Sequence, residues 1–177
     1  MRARFLPLIW LSLLPLAQLC ADTLPLDVLL RYVGKWDGEF TLHSTATGYS
    51  EVFPVRQVYW MDGEMLRGLS VMDRESGMVS ARSETVIEES RLRTKVYHKE
   101  ATEEFFGAVQ ADRVVWLPTD LRRVTDYQLT ERFTDEAGER TLSTEGFDSF
   151  VYQEGLAHIV YKGVLRYTGK VTEGGLD

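Results

Sequence analysis

The spacing of apolar positions changes once along this chain. In Leu24–Val33 they fall at Val28, Leu29, Tyr32 and Val33, a helical spacing, and Gly34 ends the pattern. Beyond it come ten short runs rich in Val, Thr, Tyr, Phe and Leu. They are Lys35–Ser44, Tyr49–Trp60, Glu64–Asp73, Met78–Glu88, Arg91–Lys99, Thr102–Gln110, Arg113–Pro118, Val124–Thr134, Glu139–Tyr152 and Leu156–Thr168. Turn chemistry such as Met61-Asp62-Gly63, Glu75-Ser76-Gly77 and Glu136-Ala137-Gly138 separates them. Gaps of hairpin size leave no room for crossover helices, so neighbouring strands should be antiparallel.

Several runs alternate with period two, which marks one buried and one wet face. In Leu156–Thr168, Ile159, Tyr161, Gly163, Leu165 and Tyr167 share a face opposite His158, Lys162 and Arg166. In Arg91–Lys99, Leu92, Thr94, Val96 and His98 share one. The pattern predicts an all-β fold, a single antiparallel up-and-down β-barrel of about ten strands with a short N-terminal helix. Closure removes the exposed edges that burden a long open sheet. A flattened sandwich is the structural competitor.

The first 21 residues read differently. Arg2 and Arg4 precede an apolar run from Phe5 to Leu16, and Ala21 offers a small residue for cleavage before Asp22. This is signal-peptide architecture, which divides the chain into a leader, 1–21, and one barrel domain, 22–177. The expected address is periplasmic or secreted, with no membrane span after cleavage. The run is shorter than the roughly 20 apolar residues of a spanning helix and holds Pro7 and Pro15, which weighs against a retained anchor. Lipidation at Cys20 is the weaker alternative, because Leu19 stands where such a signal wants a small residue.

Composition narrows the function classes. Twenty-seven acidic residues against 20 basic ones, a net charge of −7, argue against a nucleic-acid surface. The one Cys lies in the leader, so thiol chemistry and disulfides are not expected in the mature chain. No G-x-S-x-G, H-E-x-x-H, P-loop or G-x-G-x-x-G motif is present. The three His residues form no metal-spaced pair. No enzymatic activity and no cofactor are therefore expected.

Two motifs carry a resemblance. Gly34-Lys35-Trp36 follows the short helix and opens the first strand, and Thr125-Asp126-Tyr127 lies late in the chain. They resemble the G-x-W and T-D-Y motifs of the lipocalins and the wider calycin superfamily, and Gly34–Phe40 is similar to the opening of bacterial lipocalin-like and nitrobindin-like domains. The pattern departs from true lipocalins after Tyr127, where three strand-like runs follow and no terminal helix is predicted. The resemblance implies a barrel that binds a small hydrophobic or amphipathic ligand. Nitrobindin-like barrels hold haem on a late-strand His, but His158 falls opposite the aromatic face and is not expected to do so.

Candidate ligand contacts are Trp60, Arg67, His98, Tyr127, Glu131 and Tyr161. Glu131 shares a face with Tyr127, Leu129 and Phe133, and His98 with Leu92, Thr94 and Val96. His98 is either a core histidine or a ligand contact. Arg67 either pairs with Glu131 or meets a polar ligand head, since inward charges are rarely left unmatched. The preferred reading is a non-enzymatic exported barrel with a small, partly apolar ligand inside. Its alternative is a filled barrel acting as a structural or protein-interaction module of the cell envelope. An enzyme using His98 or Glu131 as acid or base is the third. Interior volume decides between the first two, a ligand pocket needing about 300 Å³ or more.

Overall fold

Pro25 opens α1 (Pro25–Tyr32) at a position where its missing N–H is not needed, with Asp27 in the first turn and Arg31 in the last. Both charges suit the helix dipole. The helix buries Val28, Leu29 and Tyr32, about 1.5–3 kcal/mol per side chain. The computed structural model of the chain describes residues 24–152 and 155–171. The expected leader, 1–21, lies outside them.

Ten antiparallel strands follow: β1 (Gly34–Ser44), β2 (Ser50–Asp62), β3 (Met65–Arg74), β4 (Gly77–Glu88), β5 (Arg91–Tyr97), β6 (Thr102–Gln110), β7 (Arg113–Pro118), β8 (Tyr127–Glu136), β9 (Glu139–Tyr152) and β10 (Gly155–Gly169). Each pairs with its neighbour in sequence, and β1 pairs with β10 to close the barrel. All ten runs read from the sequence are present. The largest shift is at β8, which starts at Tyr127 because Arg123 to Asp126 form a turn; β5 stops early at Tyr97, β2 and β8 run on to Asp62 and Glu136, and other ends move by a single residue.

α1 covers the end of the barrel where β1 begins. Gly34, at φ +138°, turns the chain from helix to strand, and a β-carbon there would run into the Tyr167 ring. Two residues on, Trp36 is completely buried. Its Nε1 donates to the Tyr32 carbonyl at 2.7 Å, and its ring meets Tyr167 edge-on at 5.4 Å. Leu29, Leu66, Phe133, Leu142 and Leu165 complete this lower core.

Around the barrel wall the filling follows a different rule. Four large inward side chains lie directly across from a glycine on the next strand: Tyr59 over Gly68, Trp116 over Gly107, Phe40 over Gly163 and Leu129 over Gly146. The missing side chain leaves each of them room to lie against the wall rather than stand across the interior. Buried Glu51 takes two hydrogen bonds from the Arg74 guanidinium, at 2.6 and 3.1 Å, and a third from the Glu75 backbone N–H, tying the upper ends of β2 and β3 together. The Arg74 bonds hold its carboxyl below the usual range.

Candidate functional site

On β8 the alternation turns Tyr127, Leu129, Glu131 and Phe133 inward, which places one carboxyl in an apolar interior. Two neutral donors meet it. Tyr32 Oη on α1 donates to Glu131 Oε2 at 2.6 Å, and Trp116 Nε1 on β7 donates to the same oxygen at 2.7 Å. Oε1 receives no donor from the described residues, yet it is not packed shut. It is left to the cavity beside it.

That cavity has a volume of about 120 Å³ and runs from α1 up between β2, β3, β4, β5, β6, β7 and β8. Its walls carry the rings of Tyr32, Tyr59, Phe105, Trp116 and Tyr127, with the hydroxyls of Ser83, Thr85 and Thr94 on one side. Thr85 donates to Thr94 at 2.9 Å. No Lys, Arg or His lines it. Burial raises the Glu131 carboxyl above its usual range, and the two hydrogen bonds offset only part of that. Burial, followed by the charge of Glu131, also pushes the Tyr32 and Tyr59 phenols up.

Over the upper end lies the turn before β8. Arg123 bonds Asp148 at 2.8 Å, lies 3.5 Å from Glu103, and stacks on Tyr127 with its guanidinium carbon 6.0 Å from the ring centre. Ser149 N–H donates to the Asp126 carbonyl at 2.6 Å, pinning the same turn to β9. Thr125-Asp126-Tyr127 thus anchors this turn and delivers Tyr127 to the cavity wall.

The six residues picked from the sequence are not brought together. Tyr127 and Glu131 line the cavity. Tyr161 faces inward on β10 but sits toward the mouth, away from the cavity wall, its hydroxyl pushed up to about 12 by burial and by Asp148. Trp60 and Arg67 are corrected to the outer face. They stand opposite one another across β2 and β3, between inward pairs Tyr59–Gly68 and Met61–Leu66. Arg67 pairs with Asp62 at 2.7 Å and Glu84 at 2.6 Å, not with Glu131. The misleading signal was the apolar outer face of β3, where Met65, Leu69 and Val71 flank Arg67.

His98 is also corrected. β5 has ended, the His98 N–H donates to the Ala101 carbonyl, and the side chain is 36% exposed beside Glu103 at 3.4 Å. Sequence reasoning missed Tyr32 and Trp116 as partners of Glu131. Trp116 carried a usable signal, alternating in step with buried Val114 along β7. Larger hollows, of about 640 and 500 Å³, lie on the outer wall and are lined by outward residues such as Gln128, Arg132 and His158 or Arg56, Val58 and Val71. Among the described residues, no group of three or more His, Cys, Asp or Glu comes together to hold a metal, and no helix is long and apolar enough to cross a membrane.

No family model matches the chain, and no curated protein does. Among solved structures it is similar to the S-type phycobiliprotein lyase CPES from Guillardia theta, with a TM-score of 0.55 and 12% identity over 85% of this chain and 96% of that one. At that identity the likeness is one of fold, and it places the chain among lipocalin-like barrels in architecture. It corrects the expectation of no enzymatic activity. A protein with this barrel bears the name of a lyase, so a barrel without a catalytic motif is no argument against catalysis.

Proposed function

We propose that the chain binds a small molecule inside its barrel, with Glu131 Oε1 as the polar contact and the rings of Tyr59, Phe105, Trp116 and Tyr127 as the apolar walls. The observation that carries this reading is the carboxyl oxygen without a protein donor beside a partly open, aromatic-lined cavity. Few convergent polar groups in an apolar hollow are the usual makings of a ligand site. By the volume criterion drawn from the sequence the interior is too small and the filled barrel gains; the carboxyl oxygen without a protein donor keeps binding as the first reading, for a smaller ligand than expected. About 120 Å³ falls short of the roughly 300 Å³ of a drug-sized pocket, so the ligand has about half a dozen non-hydrogen atoms.

The test fills the hole. Val96 lines the cavity from β5, and Val96→Phe adds a ring there for about 1–3 kcal/mol of overpacking. Small alcohols and amines should shift the amide spectrum of cavity residues in the parent and leave the variant unmoved. An unresponsive parent, or a variant that responds equally, removes the proposal. The second reading, a structural or interaction module, draws on the same small volume, since most of the interior is side chain. It expects that unresponsive parent.

We also propose export, on the leader-like Met1–Ala21 segment. Protein recovered from the periplasm or medium of a bacterial host should begin at Asp22 on N-terminal sequencing. Full-length protein confined to the cytosol would overturn this.

A further inference from the structure

The cavity holds one carboxyl and no base. Glu131 is its sole acid, and the surrounding residues offer only neutral donors, of which Tyr32 and Trp116 are spent on Oε2 and none reaches Oε1. The guanidinium groups near the two ends of the barrel are engaged: Arg123 with Asp148 and Glu103, Arg31 with Asp135 at 3.4 Å and over the Phe133 ring. A buried carboxylate normally takes a cation or gives up its charge. Here the space beside Oε1 is walled by aromatic rings, whose faces carry partial negative charge. Carboxylate and ring faces attract the same kind of ligand. An anion would be repelled by both once the carboxyl is ionised, and a neutral molecule would gain the hydrogen bond without the attraction of carboxylate and ring faces for a cation.

We infer that the cavity takes a small organic ammonium ion, its N–H donated to Glu131 Oε1 and its alkyl groups set against the rings of Tyr59, Phe105, Trp116 and Tyr127. This rests on the binding site proposed above and names its ligand class. The groups facing Glu131 are Tyr32 from α1, Tyr59 from β2, Trp116 from β7 and Tyr127 from its own strand, all uncharged at neutral pH. Burial favours the protonated carboxyl in the empty site. At a pH where the empty carboxyl holds its proton, uptake of the cation displaces it: the O–H of Glu131 breaks, its proton leaves to buffer, and the ammonium replaces it as partner. Affinity should rise with pH until the empty carboxyl is itself ionised.

The matched probes are tert-butylammonium and tert-butanol, nearly equal in shape and differing in charge, with the somewhat larger pivalate as the anion. Ligand-observed NMR at physiological salt, where the acidic surface is largely screened, gives their affinities for the full chain. The expected result is tert-butylammonium bound about tenfold or more tighter than tert-butanol, with pivalate unbound and the preference lost in Glu131→Gln. Gln keeps an acceptor for Tyr32 and Trp116, and its amide spectrum reports whether the barrel is intact. Equal binding of ammonium and alcohol overturns the cation inference and leaves the binding site standing, as does a preference for pivalate. A preference that survives in an intact Glu131→Gln barrel moves the cation to the surface and also overturns it. Silence from all three probes removes the site itself.

Discussion

Trp36→Ala should melt about 6–20 °C below the parent. The indole is fully buried where α1 meets the barrel, and its removal leaves a void bordered by Tyr167 and Phe133. Deleting a buried Trp costs about 3–5 kcal/mol, and for a chain of this size each kcal/mol moves the midpoint by about 2–4 °C. The loss has two parts. Volume is one; the other is the Nε1 bond to the Tyr32 carbonyl, the link between helix end and barrel. Trp36→Phe separates them by keeping a ring and dropping the donor, and should fall between parent and Ala. Calorimetry on the three proteins decides, and an unchanged midpoint in Trp36→Ala would mean that this end is closed without it. Because Tyr32 also reaches Glu131, the same variant should loosen the carboxyl site.

Glu131→Gln should gain stability over the parent as pH rises. Burial holds the folded carboxyl above its ordinary range, whereas in the unfolded chain a Glu titrates near about 4.3. Below that value both states carry the proton, and the carboxyl confers its full stability. Above it the unfolded chain releases the proton and the folded chain keeps it, so the parent loses stability until the folded group ionises. The slope in that window is about 1.4 kcal/mol per pH unit, or about 3–6 °C. Gln has no such window. Melting curves of the two proteins from pH 4 to 8 should therefore separate and then run level, and curves that stay parallel would show that Glu131 is well solvated. Glu51 works in the opposite sense, its carboxyl lowered by the Arg74 bonds and so losing its contribution as pH falls. It is common to both proteins and drops out of the difference.

The strand list was legible because local pattern governs it. Every run was bounded by turn residues, and most alternated cleanly, as Leu92, Thr94 and Val96 do on β5. Faces were harder where the outer wall is apolar. Along β2 and β3, Val58, Leu69 and Val71 are outward and only half-buried, so a reader of periodicity chooses the wrong side for Arg67. The last residue of a strand is fixed by its turn, which is why His98 escaped the inward row. Glu131 could be placed on the inner face from its neighbours. Its bond to Tyr32 could not be foreseen, because 99 residues separate the two and only barrel closure brings the helix beneath that strand. The cavity volume was likewise hidden, depending on how rings such as Trp116 lie down over glycines such as Gly107.

The pairing that closes the barrel has a practical consequence. Lys35 lies against Gly169, so the chain enters the barrel and leaves it at the end that α1 covers. A fluorescent protein, affinity handle or surface linker fused ahead of residue 24 or after residue 171 hangs from that end. The opposite rim, with Arg123 and Tyr161, then points away from whatever holds the molecule. A sensor immobilised by either terminus would present the same rim to solution, and a ligand entering there would meet no obstruction from the attachment.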